Sequence, residues 1–133
     1  VQLPSSSLPA QADRVLVDAP CSATGTFRRG PDRRWRVLEA DIAGFAQTQR
    51  RILADAAERV RPGGRLVYAT CSVLAEENDE VADAFTADHP TFRAAAVLPG
   101  LIEDDTPGRV HLLPHRHDTD GFFIAAWQRR DAR

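Results

Sequence analysis

The chain has no lysine, no methionine and only two cysteines among its 133 residues. All 17 basic side chains are arginine and alanine is abundant, a pattern of GC-rich coding rather than of function. The missing initiator methionine leads us to expect a piece of a longer protein. No apolar run approaches the ~20 residues needed to cross a bilayer. The opening "VQLPSSSLPAQAD" lacks the charged and apolar regions of a signal peptide. Two cysteines without a secretion signal read as reduced thiols, so a cytoplasmic protein is expected. The net charge of -2 excludes a uniformly basic nucleic-acid binder. There is no internal repeat or low-complexity tract, and no GxGxxG loop, since the only glycine pair is Gly63-Gly64.

What is present alternates between short apolar runs and amphipathic stretches, which argues for an α/β sheet. Residues 1–12 read as a Pro/Ser-rich connecting loop. Arg14 to Asp18 is the kind of run buried on both faces of a parallel sheet. A polar loop follows to about Arg36. A helix is predicted from an N-cap at Asp41 to Val60, with Ile42, Phe45, Ala46, Ile52, Leu53, Ala56, Ala57 and Val60 on one face. "RPGG" at 61–64 should end it. Arg65 to Thr70 is the second strand. A second helix is predicted over 75–88, with Glu76 and Glu77 placed in its first turn where the dipole favours anions. Weaker strands are expected at 95–98, 110–113 and 122–127, the last two joined as a hairpin by a turn at 118–121.

Strand, crossover helix and strand make a right-handed βαβ unit with parallel strands. Ligands in such sheets bind beyond the C-terminal strand ends. Asp18 and Cys21 leave the first strand there, and Cys71 leaves the second. Neighbouring strands lie ~4.8 Å apart, so both thiols and the carboxylate can face one cleft. Buried, inert thiols, a disulfide or a thiol-redox pair are the competing readings. A metal site is not expected: neither cysteine belongs to a CxxC pair, and His111, His115 and His117 do not complete a tetrahedral pattern. Arg28, Arg29, Arg33, Arg34 and Arg36 crowd around Trp35 in the loop after the first cysteine, a candidate RNA-contacting cluster. Trp35 could stack on a base or pack inward. Phe122 and Phe123 could wall a base or belong to the core.

"DAPCSATGT" (residues 18–26), "RPGGRLVYATCSVLAEEN" (61–78) and "LLPHRHDTDGFFIAAW" (112–127) together resemble the RNA cytosine-5 methyltransferases of the Nol/Nop/Sun family, most closely the bacterial Fmu/Sun type acting on small-subunit ribosomal RNA. The resemblance runs from about Asp13 to Arg130. It departs at Ala23, where the family commonly has glycine. The resemblance implies a Rossmann-like class I methyltransferase fold, S-adenosylmethionine as cofactor and RNA as partner. It further implies that Cys71 is the nucleophile, that Cys21 assists breakdown of the covalent adduct, and that Asp18 hydrogen-bonds the cytosine. Asp18, Ala19 and Pro20 would border the cofactor, with Ser22 and Thr24 supporting the loop.

In that family the cofactor lies mainly on the first half of the fold, and the first strand here corresponds to the family's fourth. Residues 13–130 are therefore expected to form the C-terminal half of a catalytic domain, without its cofactor-binding half. The rival from another class is a non-catalytic RNA-binding or ribosome-assembly module built on the same half-fold.

Overall fold

The apolar run near the start forms strand β1 (Ala12–Asp18), the first strand of a five-stranded sheet. The computed structural model describes residues 9–131, so most of the predicted connecting loop at 1–12 lies outside the described residues. Helix α1 (Glu39–Glu58) crosses to strand β2 (Val60–Thr70), which pairs parallel with β1, Leu16 opposite Val67 and Asp18 opposite Ala69. A 3₁₀ turn at Ala75–Glu77 leads into α2 (Asp79–Asp88), followed by β3 (Phe92–Ala94), β4 (Arg109–Leu112), the single-turn α3 (Pro114–His117) and β5 (Phe122–Arg129). β5 pairs antiparallel with β2 on one side. On its other side it pairs antiparallel with β4 along its first half and β3 along its second. β5 is thus the reversed strand of an otherwise parallel sheet, and β4–β5 is the expected hairpin. The mixed α/β sheet, with parallel and antiparallel strands, bears out the predicted fold class.

Alternation along the strands sorts the two sheet faces. Val17, Leu66, Tyr68, Phe123, Ala125 and Trp127 turn to the face covered by α1 and α2 and join Leu53, Ala57, Val81 and Phe85 in the main core. The ring of Phe85 packs on Trp127 at 4.7 Å and Phe92 at 5.4 Å, and these contacts tie α2 to β3 and β5. The opposite face carries a smaller cluster of Val97, Val110 and Ala126. On that face Leu16 remains 68% exposed. No described helix is long and apolar enough to cross a membrane.

Several local expectations are corrected. α1 starts two residues before Asp41, because Leu38 takes the cap position in extended geometry and Asp41 reaches back to accept its N–H at 3.2 Å. Arg61–Gly64 does not form a separate turn. β2 begins at Val60, and the register passes from Ala12–Val60 to Arg14–Arg65, so these residues bulge out of the ladder. Gly63 has φ 75° there, a left-handed conformation for which glycine carries little cost. The strand expected at 95–98 lies at Phe92–Ala94 instead. The α3 turn and the 3₁₀ turns at Thr24–Thr26 and Pro31–Trp35 were not anticipated.

Candidate active site

Three loops meet at the C-terminal edge of β1 and β2: the loop after β1, the loop after β2, and the β4–β5 connection. The parallel ladder continues one residue past β1, where the Ala19 N–H donates to the Ala69 carbonyl at 3.0 Å. Chain separation then gives way to side-chain proximity. The sulfurs of Cys21 and Cys71, 50 residues apart in sequence, lie 3.4 Å from each other. Both thiols are free and partly accessible. Burial pushes the Cys21 thiol up to about 12; the neighbouring Cys71 adds to this, while the Ala23 backbone N–H opposes it. Cys21 is therefore a protonated S–H facing the Cys71 sulfur near neutral pH.

A buried polar cluster holds this pair. Glu77, with no solvent exposure, accepts the Ser22 N–H at 2.9 Å and the Ser22 hydroxyl at 2.5 Å. It also accepts the Ser72 hydroxyl at 2.5 Å and the Gln49 amide at 3.0 Å. The same Gln49 amide group donates to the Pro20 carbonyl at 3.0 Å, which anchors the Asp-Ala-Pro-Cys turn to α1. Thr24 accepts the Val73 N–H at 3.1 Å and sits 3.1 Å from the Ser72 hydroxyl. Asn78 accepts the Thr70 hydroxyl at 2.6 Å and donates to the Ser72 carbonyl at 2.9 Å. Tyr68 donates to the Glu77 carbonyl at 2.7 Å, and burial raises its phenol well above the ordinary value. Buried polar groups are costly unless paired, and here they pair with one another, Gln49 Oε1 alone lacking a partner among the described residues.

Gly25 joins all three loops through its backbone. Its N–H donates to the Cys71 carbonyl at 2.9 Å, and its carbonyl accepts the Gly121 N–H at 2.8 Å. A Cβ at Gly25 would stand 2.2 Å from the Gly121 oxygen, so close approach is what requires glycine. Ala23 has φ 58° and ψ 28°, a left-handed position. That geometry accounts for why glycine, common at this position in the family that the sequence resembles, suits this site.

The sequence-predicted residues divide by place. Asp18 is exposed at the end of β1, on the sheet face opposite α1, whereas Ala19 is buried. Arg29 donates to the nearly buried Asp120 carboxylate at 2.5 Å, and Arg28 lies 3.9 Å from Asp120 and 3.6 Å from Asp118. These two arginines therefore brace the β4–β5 turn. Arg33, Arg34 and Arg36 are exposed; Arg36 pairs with Asp32 at 3.2 Å, and the Arg34 guanidinium lies 5.1 Å above the Trp35 ring. Trp35 is 78% exposed, which settles its orientation outward. Phe123 is fully buried and belongs to the core. His111 lies between Asp79 (2.9 Å) and Asp105 (3.1 Å). No group of three His, Cys, Asp or Glu side chains among the described residues is arranged to hold a metal.

Sequence reasoning missed Gln49, Glu77, Asn78 and Asp120. Gln49 was hidden as a polar residue within an apolar helical stripe. Glu77 and Asn78 follow the Thr-Cys-Ser turn at a spacing compatible with a simple helix start. Asp120 lies in the Asp-Gly-Phe-Phe turn, where the sequence offered a hairpin signal but no partner.

Comparison with known proteins identifies the family. A family model described as 16S rRNA methyltransferase RsmB/F matches residues 2–128. A Klebsiella pneumoniae protein named ribosomal RNA small subunit methyltransferase B is 48% identical over 115 residues, covering 86% of this chain and 26% of its own length. The Bacillus subtilis protein named "Probable ribosomal RNA small subunit methyltransferase B" is 42% identical over 125 residues, covering 90% of this chain and 28% of its own. This chain thus spans little more than a quarter of the curated relatives it matches. Among solved structures, NSun6 from Pyrococcus horikoshii with SFG superposes with a TM-score of 0.78 at 29% identity, over 99% of this chain and 34% of that one. The paired Pro-Cys-Ser and Thr-Cys-Ser turns, the shared fold and the match along nearly the whole sequence place the chain in the RsmB/F family of 16S rRNA methyltransferases.

Proposed function

We propose that this chain supplies the catalytic cysteines of an RNA cytosine-5 methyltransferase acting on small-subunit ribosomal RNA. The observation that carries the reading is the 3.4 Å approach of Cys21 and Cys71 at the ends of two adjacent parallel strands. Carbon 5 of cytosine is a weak nucleophile. A thiolate adding to carbon 6 turns the ring into an enamine-like species and makes carbon 5 reactive; cysteine suits this role as a strong, readily ionised nucleophile. In this scheme the Cys71 thiolate forms the sulfur–carbon 6 bond. Asp18, exposed at the strand end, hydrogen-bonds the polar edge of the base by accepting from its exocyclic amino group. When bound, S-adenosylmethionine supplies the methyl group that carbon 5 takes up. A base then takes the carbon 5 proton, the electrons of that C–H bond re-form the carbon 5–carbon 6 double bond, and the Cys71 sulfur leaves carbon 6 as a thiolate, with the Cys21 S–H placed to hydrogen-bond it and assist release. The target base must leave its stack to reach the thiol. The exposed Arg33, Arg34, Arg36 and Trp35 are suited to phosphate contact and stacking beside it.

The cofactor fit is partial. SFG, in the P. horikoshii structure, is sinefungin, an S-adenosylmethionine analogue. Of Asp18, Ala19 and Pro20, only Asp18 offers an exposed polar side chain. The Ala19 N–H and Pro20 carbonyl are engaged within the fold. We therefore propose that residues 13–130 are the C-terminal half of the catalytic domain and that most of the cofactor pocket lies outside this chain. In support, β1 is an edge strand, and a cleft of about 950 Å³ lined by Val15, Leu16, Asp18, Ile52 and Ala56 runs beside it.

The intact protein should form a covalent adduct with ribosomal RNA carrying 5-fluorocytosine at the target, and Cys71→Ala should abolish it. Adduct formation by Cys71→Ala at the wild-type rate would overturn the nucleophile assignment. Absence of any methyl transfer to RNA would favour the non-catalytic RNA-binding module instead.

A further inference from the structure

We propose that Glu77 is the positioning residue of the cysteine pair: its buried carboxylate fixes the distance between Cys21 and Cys71. The inference rests on the reading of Cys71 as nucleophile for its catalytic consequence, but not for its geometry. Ser22 and Ser72 directly follow the two cysteines, and both hydroxyls donate to the same Glu77 oxygen at 2.5 Å. The other oxygen accepts the Ser22 N–H and the Gln49 amide. One carboxylate thus pins the backbone next to each sulfur and ties both to α1. A carboxylate accepts at about four lone-pair sites, and the four donors fill them.

All four contacts are strongest to an acceptor-only, ionised group. A glutamine at position 77 would turn an N–H₂ toward hydroxyls that now donate, or toward the Gln49 amide and the Ser22 N–H. The first orientation makes both hydroxyls reverse and accept, replacing two charge-assisted bonds with weaker neutral ones, and the second sets donor against donor. Because Glu77 is fully buried and separated from solvent by the two turns it clamps, it does not contact the RNA itself. Its influence passes through Ser22 and Ser72. A reacting group displaced by ~1 Å can cost about 10²-fold in rate, so the clamp governs chemistry without governing affinity.

The test compares the intact wild-type protein with Glu77→Gln in two assays. The first is disulfide closure driven by diamide: the two thiols lose two protons and two electrons to form the S–S bond, and the reagent's N=N is reduced to a hydrazine. The second is the rate of adduct formation on 5-fluorocytosine RNA at saturation, measured beside RNA affinity. Glu77→Gln should slow closure and adduct formation by about tenfold or more, with RNA affinity within about twofold of wild type. Closure within about twofold of the wild-type rate overturns the proposal, since the pair would then hold its spacing without the clamp. Slowed closure supports it even if Cys71→Ala still forms the adduct, an outcome that overturns only the nucleophile assignment. Should Glu77→Gln fail to fold, the Ser22→Ala/Ser72→Ala double variant removes the two hydroxyl links to the carboxylate, and the same closure result decides.

Discussion

Replacing Gly25 with alanine introduces one methyl group where three loops converge. The new Cβ would stand 2.2 Å from the Gly121 oxygen, 2.7 Å from the Gly121 carbonyl carbon and 2.8 Å from the Cys71 oxygen. All three contacts are with backbone, so no side chain can swing aside. Relief requires the β4–β5 turn and the Cys71 turn to retreat by roughly 1 Å, at the ~1–3 kcal/mol typical of overpacking. The retreat also breaks the two hydrogen bonds made by Gly25's own N–H and carbonyl, at 2.9 and 2.8 Å. Each is worth ~1 kcal/mol net, so the total is about 3–5 kcal/mol. Equilibrium urea unfolding followed by the fluorescence of the buried Trp127 reads this loss directly. A destabilisation below ~0.5 kcal/mol with an unchanged denaturant slope would show that the three loops are not locked at Gly25.

Other outcomes follow from the same geometry. Ala23→Gly should stabilise the protein by up to ~1 kcal/mol, since the left-handed backbone strain of alanine exceeds the entropy cost of glycine; a loss of stability in thermal melts would contradict the assigned backbone. Burial raises the folded-state pKa of Cys21 to about 12. Its contribution to stability is therefore complete below the ordinary thiol value of ~8.5 and is lost as pH rises from there toward the raised value. Mass spectrometry should accordingly find the peptide 15–28 resistant to iodoacetamide at pH 8, where only about 10⁻⁴ of the thiol is ionised; labelling as fast as free cysteine would refute the burial argument. Arg33→Ala/Arg34→Ala should weaken RNA binding and reduce its salt slope by ~1.4. Arg29→Ala should instead leave the slope close to wild type and cost ~1–2 kcal/mol of stability, because Asp120 loses its closest partner; filter binding across a salt series and urea unfolding separate the two.

The βαβ unit was legible because its signals are local. Val15–Val17 and Leu66–Tyr68 are apolar runs of strand length, and the buried positions of α1 recur at helical spacing. β3 was displaced because Phe92-Arg93-Ala94 has no periodicity of its own and is a strand only through Trp127, Gln128 and Arg129 of β5. The two cysteines could be brought together from topology alone, since parallel strand ends share an edge. Their support could not. Glu77 in a first helical turn satisfies the dipole argument equally well exposed or buried, and only the assembled fold brings Ser22, Ser72 and Gln49 to it. The arginine cluster was visible as composition, but its division into Arg28 and Arg29 on Asp120 and the outward remainder depends on a turn some 90 residues away.

The central claim is that Cys71, and not the more conspicuous Cys21, bonds to the base. Arginine spacing makes it directly measurable: trypsin separates the two cysteines onto peptides 15–28 and 66–93. After the intact protein is trapped on 5-fluorocytosine RNA and the RNA is digested to the bound nucleotide, peptide mass spectrometry locates the adduct. The account predicts the added nucleotide mass on peptide 66–93 at Cys71, with peptide 15–28 unmodified. The same mass on Cys21 would contradict it.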